Sequence, residues 1–171
     1  MSATGKIMAP ARVFAAMTPG ACGYAVSSGG CCRSDLPRAS EAAALCTGME
    51  RRCFTAARWK WGLDREAKRD LAIMLHVEAA GWASDENWTI PRGSRYLETM
   101  ARFAVEEVHA PQAADGRVRK VRDVTIAGAM RMTPRNYRRF WKRRYARMVM
   151  QIEHWAGDAA AHVLGAQRNG G

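Results

Sequence analysis

The sequence predicts an all-α fold: a small helical domain with a C-terminal helix-turn-helix and a long basic second helix. Three observations carry this reading. Apolar residues recur at helical spacing through 64–108 and again through 126–155. No strand-period run of useful length occurs. The single β-branched cluster, 118–126, is broken by charges and reads as either a short strand or a helix start. Finally, Thr133-Pro134 places an N-capping residue before Pro at the first helical position, a strong helix start.

Taken in order, residues 1–48 differ from the rest. They hold four of the five Cys, three Pro and no Trp. Gly29-Gly30 and Pro37 break any long element. Only 40–46 reads as a helical turn or two. The segment is expected to be disordered, or to be an over-extended leader ahead of a start at Met49, where the composition changes abruptly. The apolar run 13–17 is shorter than the ~7–15 residues of a secretory core. No apolar run approaches the ~20 residues of a membrane helix.

From Met49 a helical scaffold is expected to 111. A first helix over 49–61 carries Phe54, Trp59 and Trp61 and ends at Gly62. Asp64 then caps a second helix, with Glu66 placed favourably in its first turn. Ala67, Leu71, Met74, Leu75 and Trp82 form its apolar face. Residues 84–93 form a loop. Ser94 is the next N-cap candidate, and Leu97, Met100, Ala101, Ala104 and Val108 form the following apolar face. Pro111 stops that helix.

The 171 residues carry 27 Lys and Arg against 16 Asp and Glu, a net charge of +11. That surplus favours an anionic partner. It is concentrated in 117–147, which holds 12 bases and a single acid, Asp123, for a net +11. The remaining residues balance to zero. Solvated helix faces usually mix signs.

The third expected region, 117–166, contains this charge and the helix-turn-helix. Ile126, Ala127 and Met130 belong to its first helix, with Ala127 small enough for close helix packing. Met132 is the expected buried turn residue. Tyr137 and either Phe140 or Trp141 anchor the second helix. On a helical wheel Tyr137, Trp141, Tyr145, Met148, Ile152 and Trp155 share one stripe, and Arg135, Arg138, Arg139 and Lys142 another. The N-terminal part of a recognition helix enters the major groove. Arg135, Asn136 and Arg139 are therefore the expected base contacts, since Arg can pair bidentately with guanine and Asn with adenine. Arg138, Lys142, Arg143 and Arg147 are expected at phosphates. Arg117, Arg119, Lys120 and Arg122 form a basic arm for the backbone or minor groove.

The run I-A-x-x-M-x-M-T-P-R-N-Y-x-R-x-W-x-x-R-Y, ahead of a long helix containing E-H-W, resembles helix-turn-helix proteins of bacteriophages and prophages. Late-gene regulators of the Q antiterminator type are among them. R-W-K-W, D-L-A-I-M-L-H-V-E-A and Y-L-E-T-M-A-R-F-A are similar to the rest of such a module. The resemblance implies a transcription regulator that binds double-stranded DNA in the cytoplasm of a bacterial host. An antiterminator would also contact RNA polymerase. One departure is Arg131, which stands where the turn usually has Gly.

Competing readings are a protein-interaction module, with Trp59, Trp61, Trp82 and Trp88 partly exposed, and a structural protein binding nucleic acid without sequence preference. No enzyme is expected. Phosphate-binding loops, dinucleotide fingerprints, H-E-x-x-H and G-x-S-x-G are all absent. Acid pairs such as Glu106-Glu107 are sequence neighbours and diverge on a helix. His154 and His162, eight residues apart, make a poor metal pair. Cys22, Cys31, Cys32, Cys46 and Cys53 lack the paired knuckle of structural zinc and read best as free thiols. No cofactor or metal is expected.

Overall fold

The computed structural model describes residues 7–17, 37–109 and 120–169. All regular elements among them are helices: α1 (Pro10–Ala16), α2 (Ala39–Leu45), α3 (Arg51–Gly62), α4 (Arg65–Asp85), α5 (Tyr96–Val108), α6 (Asp123–Ala129), α7 (Pro134–Asn136), a π-helical turn (Tyr137–Trp141) and α8 (Lys142–Asn169). The last three continue one another without a break. The fold is all-α. The chain divides into a terminal unit, Met1–Lys68 with His154–Gly171, and a central unit, Arg69–Glu153.

In the terminal unit, two helices occupy the stretch for which the sequence suggests disorder or a leader. Helix α2 coincides with the short helical signal at 40–46. Helix α1 has no such signal, because seven residues are too few to be stable on propensity. Pro10 sits in its first turn. Its stability comes from burial: Val13 and Phe14 have no exposed surface. The Phe14 ring stacks on Trp61 at 5.5 Å and lies 6.4 Å from Phe54. The Met8 amide donates to Gln167 Oε1 at 2.7 Å, and Gln167 Nε2 donates back to the Met8 carbonyl at 3.2 Å. These paired bonds tie the start of α1 to the end of α8. Residues 18–36, with Cys22, Cys31 and Cys32, lie outside the described residues.

Helix α3 ends one residue later than Gly62 suggests. Leu63, not a glycine, takes the left-handed conformation with φ of 60°. Asp64 then caps α4 as expected. Its Oδ1 accepts from the Glu66 and Ala67 amides at 2.8 and 3.2 Å, and its other oxygen pairs with Arg58. Trp155, Ala156, Ala159 and Val163 form the buried side of α8 in this unit. Arg52 lies over the Trp155 ring at 5.7 Å.

The central unit buries Leu71, Leu75, Ala79, Leu97, Met100, Ala104, Val105, Ile126 and Met130. Helix α5 corrects two details. Arg95, not Ser94, is its N-cap residue and makes no side-chain cap bond. Val105 is fully buried, while Val108 is half-buried. The 118–126 cluster resolves as a helix start at Asp123 for its described part. Trp141 meets Trp88 and Tyr96 edge-on at 6.5 and 5.2 Å.

Phe14→Ala should lower unfolding stability by about 3–5 kcal/mol, the usual loss for a buried aromatic. Chemical denaturation of the full chain measures it; a loss under about 1 kcal/mol would mean that α1 adds little to the fold.

Candidate nucleic-acid interface

The basic segment is organised around one turn. Helix α6 ends at Ala129. The Arg131 amide bonds back to the Gly128 carbonyl at 3.0 Å, and the Met132 amide to the Ala127 carbonyl at 3.0 Å. This double return is a Schellman motif, which satisfies the last carbonyls of a helix. It requires a left-handed residue, and Arg131 fills that place with φ of 53°. The expected departure from glycine is therefore a real backbone cost of about 1 kcal/mol. Two residues later Thr133 Oγ1 accepts from the Asn136 amide at 3.2 Å and caps the next helix, with Pro134 in its first turn. Two helix ends are thus satisfied within four residues.

Beyond the cap, the backbone widens into the π turn. The Lys142 amide donates to the Tyr137 carbonyl, five residues back. A wider turn brings side chains four apart closer to alignment, so Tyr137 and Trp141 both face the core. Tyr145, Met148, Ile152 and Trp155 continue the stripe, all buried. Trp141 is the second anchor, and Phe140 is 52% exposed. Met132 is only half-buried; Met130 fills the core beneath the turn.

The opposite face carries the expected base contacts. Arg135, Asn136, Arg139 and Arg143 are all exposed. Among the described residues none of these arginines has an acidic partner. The same holds for Lys120, Arg122 and Arg131, exposed before and within the turn. Arg138 and Lys142 stand on the other flank. Both reach Asp123 Oδ2, at 3.4 and 3.0 Å. Such exposed pairs contribute about 0–1 kcal/mol each, yet they compete with any phosphate. Arg147 is more deeply committed. It pairs with Glu86 and lies over the Trp82 ring at 4.1 Å. Arg144 sits over Trp88 at 4.5 Å and Trp141 at 4.8 Å, where burial pulls its pKa down. Arg117 and Arg119 lie outside the described residues.

Two carboxylates have roles that sequence spacing does not announce. Glu107 is buried, and its Oε2 accepts from Tyr145 Oη at 2.7 Å and from the Val121 amide at 3.2 Å. Glu86 accepts from the Trp88 indole at 2.9 Å and from Arg147, which together hold its carboxyl below the usual range. A Glu followed two residues later by a Trp is the only local trace of the latter.

Elsewhere, burial pushes the Cys46 and Cys53 thiols up, so both are protonated at neutral pH. No three of His, Cys, Asp or Glu cluster as metal ligands among the described residues. No helix among them is long and apolar enough to cross a membrane. Compared with known proteins, the chain matches no family model, no curated protein and no solved structure.

Two stability predictions follow from this geometry. Arg131→Gly should raise unfolding stability by about 1 kcal/mol, because glycine takes the left-handed conformation without strain. A thermal melt that falls instead would mean that the arginine side chain compensates its backbone. The second concerns tyrosine. Tyr137 Oη is buried without a hydrogen-bond partner among the described residues. Burial raises the pKa of Tyr137 and of Tyr145, the latter also through Glu107. A raised folded-state pKa means stability is full below the unfolded tyrosine value near ~10 and falls as pH rises past it. Tyr137→Phe should therefore keep or raise stability at pH 7, by up to about 1–3 kcal/mol. It should also flatten the loss above pH ~10, read by denaturation across pH 8–11.

Proposed function

We propose that this chain is a DNA-binding transcription regulator of the phage type, which reads the major groove with the helix beginning at Pro134. The observation that carries the proposal is the pairing pattern of the basic residues. Arg135, Arg139 and Arg143 stand exposed without acidic partners among the described residues, with Asn136 beside them, at the start of a helix that follows a capped tight turn. That is the end of a recognition helix that reaches base edges. Arg135, Asn136 and Arg139 would read bases, and Arg143, Arg122 and Lys120 would bind phosphates. Arg138 and Lys142 would first have to leave Asp123. Arg147 acts mainly within the fold. A regulator of this kind would work on double-stranded DNA in the cytoplasm of a bacterial host.

The competing protein-interaction reading, with contact to RNA polymerase, draws on exposed tryptophans. Trp59 and Trp88 are buried, while Trp61, stacked on Phe14, and Trp82, beneath Arg147, are half-buried. Two of the four tryptophans therefore keep the partial exposure that reading needs, and the exposed arginines are what favour DNA.

Random-site selection with the full chain should yield one short sequence. Binding should fall with salt at a slope of about −0.9 per phosphate contacted. Arg135→Ala should cost about 1–3 kcal/mol on the selected site and relax preference at one position. Arg143→Ala should weaken all sequences alike and reduce the salt slope by about 0.9. Arg147→Ala should lower the melting temperature and leave the salt slope nearly unchanged. Equal losses on every sequence for Arg135→Ala and Arg143→Ala would overturn the recognition assignment.

A further inference from the structure

We infer that Phe140 is a specificity-determining residue that reads the methyl group of a thymine lying close to a guanine; this rests on the proposed DNA-binding reading. Phe140 is the one aromatic among the exposed large apolar side chains of the described residues. Tyr137 and Trp141 on the same turns supply the aromatic anchors, and both are buried. A ring left 52% exposed loses the burial that would otherwise stabilise it.

Its surroundings say what kind of partner covers it. Arg139 places its guanidinium 5.0 Å from the ring centre. Asn136 lies one turn earlier at i−4, on the same flank of the helix, and Arg143 lies three residues on. Both are exposed. A protein-docking surface would gather apolar neighbours around the ring; here a guanidinium lies over it, with an amide and a second cation at helical spacing on the same flank. The matching partner is anionic and polar, with an isolated apolar group. The major groove of DNA is such a surface. Among its base edges the thymine C5 methyl is the apolar group, and Phe is one of the side chains that meets it.

The neighbouring contacts narrow the sequence further. Arg139 matches guanine O6 and N7, and Asn136 matches adenine N6 and N7. The 5.0 Å between guanidinium and ring spans less than two base-pair rises of about 3.4 Å. The thymine read by Phe140 therefore lies within about two base pairs of the guanine read by Arg139. The Asn136 and Phe140 flank suits A·T pairs, and the Arg135 and Arg139 side suits guanine.

The test replaces each thymine of the selected site with deoxyuridine, which removes the methyl group alone. Full-length protein and its Phe140→Ala and Phe140→Leu variants are titrated against each duplex, with melting temperatures as a control on folding. At one thymine, near the guanine whose preference Arg139→Ala abolishes, the wild-type chain should lose about fourfold in affinity, as for one buried methyl. Phe140→Ala should be indifferent to that replacement, and Phe140→Leu should keep part of the sensitivity. A site that is bound selectively, but where every deoxyuridine affects wild type and Phe140→Ala equally, overturns the Phe140 inference and leaves the DNA-binding proposal standing. Failure to select any sequence overturns both.

Discussion

The geometry of the basic helix depends on a buried carboxylate. Glu107 projects from α5 into the central unit, where an unpaired charge would be costly. It is satisfied by two donors that the chain supplies from distant places: the Tyr145 hydroxyl on α8 and the Val121 amide just ahead of α6. Hydrogen bonds to a charged group are worth about 1.5–3 kcal/mol, and losing a partner costs the desolvation as well. The arrangement is therefore specific in register. It fixes which residue of α8 faces α5, and so which residues two turns earlier face outward. It also fixes where the chain enters α6. The same carboxylate thus ties the entry to α6 to the helix that follows the turn, and the direction of Arg135, Asn136 and Arg139 depends on that tie.

The positive charge of 117–147 is divided by the fold into two populations. One is neutralised or covered internally. Asp123 holds Arg138 and Lys142, Glu86 holds Arg147, and Trp88 with Trp141 covers Arg144. The other is exposed and forms no ion pair among the described residues. Asp123 has a double role, because it also stands in the first turn of α6, where a negative charge is favoured. The single acid of the segment thus secures one flank of the helix and leaves the other flank unpaired. Net charge alone overstates what is free to meet a polyanion.

What the sequence reveals follows the range of each interaction. The Thr133-Pro134 cap, the Asp64 cap and the stripe from Tyr137 to Trp155 obey rules that act within a few residues, and all three are legible. The choice between Phe140 and Trp141 is not, because the π turn alters the angle between residues at that point. Met132 and Val108 fail for a similar reason: a wheel gives direction but not depth. Helix α1 and the role of Glu107 are illegible because their partners lie far away in the chain. Phe14 needs Trp61, and Glu107 needs Tyr145, 38 residues on. Leu63 and Arg131 are a third kind of case. Both occupy left-handed positions that favour glycine, and at each the following helix cap dictates the turn.

Arg131 and Phe140 share a property that separates them from the rest of the motif. Each breaks a local rule at a stability cost, and both side chains stand exposed, with the Arg139 guanidinium packed over the Phe140 ring. Natural sequences accept such violations mainly where a site is at work. Glycine at 131 would relieve the backbone but remove a cation from the turn. A polar residue at 140 would suit solvent but remove an exposed aromatic ring from beside Arg139. The two costs fall on the same short stretch, at the turn and the first turns of the helix behind it, beside arginines that form no ion pair among the described residues. Stability and surface chemistry are in conflict at both positions, and the sequence resolves the conflict each time in favour of the surface. Under the proposed DNA-binding reading, both positions belong to the face that meets the groove rather than to the core beneath it.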